Sequence, residues 1–426
     1  MKSLRVWAGV GMLAAGLAAQ AAAPRQTEAD AYTRYELLGP ETASFKIYYE
    51  ITATTAGATH YYNPIRAGST ASDEAVYDAM SGKPLPFEVV TGAAARQDPM
   101  MARASDSMDY IKVTLARPVP EEGQGRIIIV KTYKDEKSYL RDPRDPKGII
   151  FNRPLGIQRN EVVLPPGYEL TGCNVPSQVL AQPDGRVAIS FMHAGSGEAP
   201  LILHARADAP TGDAARPAAL TGERSWEAPA RQGPTERARL SERAHQDRDI
   251  VYFLEAPESH AFSLYHDYTE AQPGAHAYYN VVREGSTVSS PSAYVLDTGE
   301  KLNAQVMTGA QLAAAKINPG ESVGASTPVV VIPFPPVAKG TSVRLRISET
   351  YTAPASYRLE NGELVFDRSF GRPRNAVVLP AGWYLTDSSI PATVRELPDG
   401  RIRLDFWNDR PDNIDVLIKA RRKQPN

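Results

Sequence analysis

Gly57–Ser72 reads GATHYYNPIRAGSTAS and Gly274–Ser289 reads GAHAYYNVVREGSTVS, ten identities in sixteen positions, 217 residues apart. Arg159–Gly167 (RNEVVLPPG) and Arg374–Gly382 (RNAVVLPAG) share seven of nine at a spacing of 215. Two matches in the same order at nearly the same spacing imply a unit present twice, with repeats over residues 32–207 and 249–421. The 208–248 stretch between them changes character. Proline, alanine, arginine and glutamate dominate it, and few side chains beyond Leu220, Trp226 and Leu240 are large and apolar. Such a composition buries too little apolar surface to offset its ordering entropy, so it reads as a linker, with a short helix at most over Thr235–Arg248.

Within each unit the periodicity is that of strands. Phe45, Ile47, Tyr49 and Ile51 alternate with polar residues, as do Phe262, Leu264, His266 and Tyr268. Asp78–Lys83 (DAMSGK) and Asp297–Lys301 (DTGEK) are turns between strand-like stretches, and Asp184-Gly185 and Asp399-Gly400 are hairpin dipeptides. The 35 prolines and 31 glycines are scattered, which suits many short strands rather than long helices. A helical turn fits near Leu312–Lys316. The fold class expected is all-β: two tandem, homologous, antiparallel β-sandwich domains from an internal duplication.

The first residues, Met1-Lys2-Ser3-Leu4-Arg5, are basic, and Val6 to Ala19 form an uncharged, mostly apolar stretch before Ala19-Gln20-Ala21. That order is a secretory signal over 1–21, cleaved after Ala21, and it implies a periplasmic or secreted protein. The apolar stretch is shorter than the roughly 20 residues a membrane span needs, so no membrane insertion is expected after its removal. A formal net charge of −2, without a basic run, gives no electrostatic basis for binding nucleic acid. The one cysteine, Cys173, aligns with Ser388, so the fold does not require a thiol there.

Candidate binding residues come from what the copies share. On a strand, Tyr62 and Arg66 face the side opposite Tyr61 and Asn63, as Tyr279 and Arg283 do opposite Tyr278 and Asn280. Arginine is rarely buried unpaired, so the Tyr62–Arg66 and Tyr279–Arg283 faces are expected at solvent, as a surface for a glycan or a peptide. Arg153 with Arg159 and Asn160, and Arg368 with Arg374 and Asn375, flank a glycine-containing loop. They either grip a carboxylate or phosphate group or hold the turn before VVLP. His260 and His266 share the core parity of their strand, which argues for packing rather than metal ligation. No G-x-S-x-G elbow, metal-ligand spacing or phosphate loop is present, so neither catalytic residues, a metal nor a cofactor is expected.

The strand layout resembles the β-rich domain that precedes the catalytic domain of zinc aminopeptidases, but the chain has no H-E-x-x-H motif, so no activity is carried over. Three function classes follow. The first is an exported, non-catalytic binding or structural module for a glycan or a protein or peptide ligand. The others are a β-sandwich hydrolase or lyase acting in an interdomain groove, and an accessory subunit of an envelope complex. Symmetry discriminates weakly among these: binders and scaffolds tolerate two equivalent units, whereas an active site usually accumulates its residues in one copy.

Overall fold

The computed structural model describes residues 25–66, 70–195, 197–207, 242–410 and 412–422. The expected signal and residues 208–241 lie outside these. The chain is nearly all β, and its two halves repeat one strand order. In the first, a seven-stranded sheet runs Gln178–Ala181, Val187–Met192, Arg159–Val163, Glu28–Leu37, Ser44–Ala53, Gly125–Lys134, Thr70–Asp78. In the second, the order is Thr393–Glu396, Ile402–Trp407, Arg374–Val378, Asp249–Leu254, Ala261–Glu270, Val343–Thr352, Thr287–Val295, with Lys301–Leu302 added at the edge. Each half adds a four-stranded sheet and a three-stranded one, the latter containing His60–Pro64 or Ala277–Val281.

One pair in each large sheet is parallel: Glu28–Leu37 beside Arg159–Val163, and Asp249–Leu254 beside Arg374–Val378. The remaining pairs among the named strands are antiparallel. The parallel partner explains the VVL runs. A central strand covered on both faces buries every residue rather than alternate ones: all five of Arg159–Val163 are buried, Val162 and Val163 as apolar residues and Arg159, Asn160 and Glu161 with polar partners. The outer members alternate as expected, with Phe45, Ile47 and Ile51 in one core and Phe262 and Leu264 in the other. A short α-helix runs over Gly309–Ala314, capped reciprocally by Thr308 and Gln311, and overlaps the helical turn expected near Leu312–Lys316.

Two expectations need correction. Tyr62 is not at solvent. The two tyrosines do point to opposite faces, with Tyr61 in the main core, but the residues after Thr91 fold back over the other face. Tyr62 is 3% exposed, packed with Ala95, Ala104 and Tyr110, and its hydroxyl donates to Asp98 at 3.1 Å. Tyr279 is likewise half-buried, against Leu312, Val329 and Val331. Alternation identified two faces; it could not show that a third layer covers the second.

The end of the linker is not loose either. Residues 242–248 form a turn and an extended run, not a helix, wedged between the halves. Arg243 donates to the carbonyls of Asn408 and Gly371, and the carbonyls of Ala244 and His245 accept from Arg159 at 2.6 and 3.1 Å. Asp247 accepts from Arg344 at 2.7 Å.

Elsewhere the halves meet directly, through the two turns read as hairpins. Arg126 donates to both oxygens of Asp297 at 2.7 and 2.8 Å, with both residues buried. Gln124 N–H reaches Leu296 O at 2.8 Å, and Ser342 N–H reaches Met80 O at 2.9 Å. Gly82 must lack a side chain, because a Cβ there would lie 2.4 Å from Gly340 O. Fully desolvated bidentate pairs and cross-half backbone bonds make one body of the two sandwiches. A cleavage site engineered into 208–241 and cut should therefore leave two pieces that co-elute on size exclusion. Asp297→Ala, which strands Arg126 at a cost of about 3–5 kcal/mol, should let the pieces separate.

Candidate ligand cavity in the second half

A cavity of about 170 Å³ opens in the second half, lined by the core-facing side of Ala277–Val281 and by the large sheet. Its apolar wall is Ile250, Leu264 and Val281, and its aromatic wall Tyr252, Tyr278 and Tyr351. Polar groups complete it: His266, Asn280, Glu349, and the three arginines Arg283, Arg368 and Arg372. Three guanidinium groups thus face one carboxylate, and that carboxylate is already engaged. Asn280 Nδ2 donates to Glu349 at 2.8 and 3.1 Å and to the Tyr351 hydroxyl at 2.8 Å.

Strand register places each of these side chains. Leu264 and His266 are neighbours on the core face of Ala261–Glu270, with Glu349 and Ile347 directly across on Val343–Thr352. Arg368 comes from the opposing sheet, in Glu363–Phe370, and Arg372 from the loop that follows it. Arg283 follows the end of Ala277–Val281.

Arg368 is the centre of the arrangement. Its guanidinium lies 5.2–5.9 Å from the ring centres of Phe262, Tyr252 and Tyr351, yet Nε and Nη1 are buried with no hydrogen-bond partner among the described residues. The equivalent residue in the first half, Arg153, sits over Phe45 and Tyr133 in the same way, at 5.2 and 5.8 Å. Arg153, however, donates through Nη1 to Asp135 at 2.8 Å. The position of Asp135 is taken in the second half by Ala353. Both open the same tight turn: their N–H groups bond Ala43 O and His260 O, and their carbonyls accept from Tyr139 and Tyr357. One arginine has its counter-charge, and the other has lost it.

The rest of the site diverges in the same direction. Lys131 occupies the Glu349 position and donates to Asn63 at 2.8 Å, so an asparagine that accepts in the first half donates in the second. Tyr49 stands where His266 is, and Ile157 where Arg372 is. At these positions of the first half Asn63 with Lys131 and Arg153 with Asp135 are paired; in the second Asn280, Glu349 and Tyr351 are paired, but Arg368 Nε and Nη1 and His266 Nε2 have no hydrogen-bond partner among the described residues.

Ionisation follows from this setting. Burial raises the Glu349 carboxyl, against the opposing pull of the bonds from Asn280 and Tyr351. Burial, reinforced by Arg372 and Arg248, pushes His266 well below the usual histidine range, so its ring is neutral at physiological pH. His266 is 5% exposed, with Nδ1 3.3 Å from the Tyr278 hydroxyl and Nε2 without a partner among the described residues. Arg283 and Arg372 are each held below the ordinary arginine value, first by burial and then by a neighbouring arginine, Arg368 and Arg248 respectively. On Lys131 burial outweighs the attraction of Glu74 and lowers the ammonium to about 8.

Of the residues singled out from the sequence, only Arg283 and Arg368 come together here. Arg159 is closed into the junction between the halves, bidentate on Asp30 at 2.8 and 2.9 Å. Arg374 joins the same carboxylate at 3.1 Å and also bonds Asp247 O. Burial opposes the Asp30 charge, but Arg159 and Arg374 outweigh it and lower the carboxyl to about 2. Asn160 and Asn375 hold the turn before their strands, donating to Ile157 O and Arg372 O. The grip expected of Arg153 with Arg159, and of Arg368 with Arg374, is therefore not assembled: each arginine has its own surroundings. Arg66 is exposed and bonds Pro154 O at 3.3 Å. Among the described residues, no group of three His, Cys, Asp or Glu side chains is placed to hold a metal ion. Nor is any helix among them long and apolar enough to cross a membrane.

No protein-family profile and no curated protein matches this sequence. Among solved structures, an M1 zinc metallopeptidase from Deinococcus radiodurans is similar at 10% identity and a TM-score of 0.29, over 43% of this chain and 42% of that one. An aminopeptidase N family protein from Idiomarina loihiensis is similar at 9% and 0.25, over 40% and 29% respectively. The collagen adhesin of S. aureus is similar at 7% and 0.17, over 81% and 86%. The chain thus spans less than half of the peptidase, and likenesses at this level carry no argument about activity.

Restoring the missing partner tests the unbalanced charge. Ala353→Asp should give Arg368 the bond that Arg153 has and stabilise the protein by about 1–3 kcal/mol in denaturant unfolding, the range for a hydrogen bond to a charged group. Asp135→Ala should destabilise it. Loss of stability in Ala353→Asp would show that Arg368 lacks nothing.

Proposed function

We propose that this chain is an exported, non-catalytic binding module in which the second sandwich carries the ligand site and the first serves as its scaffold. The observation that carries the reading is the Arg153–Asp135 pair set against Arg368 with Ala353. A fold that holds an arginine well in one copy, yet exposes the same arginine to a cavity in the other, has given up stability where a ligand can restore it. Such local departures from the most stable arrangement are what binding sites require. The divergence of Glu349, His266 and Arg372 from their counterparts points the same way. A protein or peptide ligand suits the half-enclosed cavity, and a periplasmic or secreted location suits the N-terminal signal expected from the sequence.

The test is a thermal-shift screen of wild type against Ala353→Asp with a defined set of short peptides and mono- and disaccharides. Compounds that engage the cavity should raise the melting temperature of wild type and lose that effect in Ala353→Asp, where the introduced carboxylate occupies Arg368. A ligand present at about 100 times its Kd contributes about 2.7 kcal/mol, well within detection. Compounds stabilising both proteins equally would place binding elsewhere. Their complete absence would leave the chain as a scaffold.

A further inference from the structure

The cavity's chemistry narrows the ligand further. We propose that it takes the C-terminal residue of a peptide, with the terminal carboxylate among Arg283, Arg368 and Arg372 and a small aliphatic side chain against Ile250, Leu264 and Val281. This inference rests on the binding reading above and adds the ligand class.

Three observations carry it. The first is charge. Three guanidinium groups around one space, one of them with Nε and Nη1 unpartnered among the described residues, favour an anion. A carboxylate matches the planar fork of arginine through two parallel bonds. The repulsion that Arg368 exerts on Arg283, and Arg248 on Arg372, is relieved when an anion enters. The second is size and polarity. A cavity of about 170 Å³ is close to the roughly 150 Å³ that accommodates a benzene ring, enough for one terminal residue with a small side chain. Glu349 and the buried Nε2 of neutral His266 supply polar atoms that can meet the amide group of that residue. The third is the state of the rings. A sugar is recognised by an open aromatic face, and two of the three rings here are already stacked. Tyr252 stacks on Phe370 at 5.3 Å and Tyr351 on Phe262 at 6.0 Å, and both carry the Arg368 guanidinium. The glycan expected as one possibility from the sequence therefore fits poorly, and a dianionic phosphate would meet Glu349.

Four probes test the proposal by calorimetry, supported by the side-chain Nε–Hε NMR signal of Arg368, assigned through Arg368→Lys. They are acetyl-Ala-Ala-Ala-Val as the free acid, the same peptide as its C-terminal amide, glucuronate, and inorganic phosphate. The free acid should bind and shift the Arg368 signal. Amidation should weaken binding at least tenfold, as should Ala353→Asp in a protein whose unfolding curve shows it folded. If the amide binds within twofold of the acid, the carboxylate is not recognised and this proposal falls while a binding cavity stands. If glucuronate or phosphate binds more tightly than the peptide acid, the site is anionic but the peptide assignment is wrong. If none of the four moves the Arg368 signal, the proposal is overturned, and the wider screen decides the binding reading separately.

Discussion

A guanidinium taken out of water must find a counter-charge or remain a liability, and this constraint organises the whole molecule. Where the two halves meet, Arg126 is clamped by Asp297, Arg159 by Asp30 and Arg344 by Asp247, each with distances under 3 Å. Of these, Arg126–Asp297 crosses between the sandwiches, as does Arg374 on Asp30, while the carbonyls of Ala244 and His245 on Arg159 and Asp247 on Arg344 hold residues 242–248 at the junction. Inside the first sandwich the same rule is met by Asp135 on Arg153. Inside the second Asp267 meets it on Arg346, but among the described residues Arg368 Nε and Nη1 have no such partner, and the cavity lies beside them.

The fold was legible in the sequence because it rests on patterns that local chemistry dictates. Period-two alternation in Phe45–Ile51 and Phe262–Tyr268, glycine turns and the repeated VVLP segment led to the sandwiches and their equivalence. Tyr62 was misread because alternation reports which side chains share a face, not what later covers that face; the cover comes from residues 92–108, whose role is tertiary. The linker's composition was read correctly as poor in apolar residues, but Arg243 and Asp247 are held by ion pairs and carbonyl bonds, which hydropathy does not register.

The candidate cavity was legible only through Arg283 and Arg368, for a related reason. Attention to what the copies share selected Arg159, Asn160, Arg374 and Asn375, which are shared because both halves use them structurally. The chemistry lies in what the copies do not share: Ala353 against Asp135, Glu349 against Lys131, His266 against Tyr49, Arg372 against Ile157. Each difference is plain in the sequence once the halves are aligned. Only the structure shows that His266, Glu349 and Arg372 line one space, with Ala353 as the partner missing from the Arg368 on its wall. For the binding function proposed, it matters that both sandwiches are locked into one body, since a cavity on a rigid framework holds its arginines pre-positioned for a ligand.

The most direct test of the central claim, that one half satisfies its buried arginine and the other reserves it, compares two matching substitutions by denaturant unfolding. Arg153→Met leaves Asp135 without its partner and should cost about 3–5 kcal/mol, the range for breaking a buried pair. Arg368→Met removes a guanidinium whose Nε and Nη1 have no hydrogen-bond partner among the described residues, from an aromatic setting that suits a methionine, and should be neutral or stabilising. Equal losses from both would mean that Arg368 is as well satisfied as Arg153, and would contradict the account.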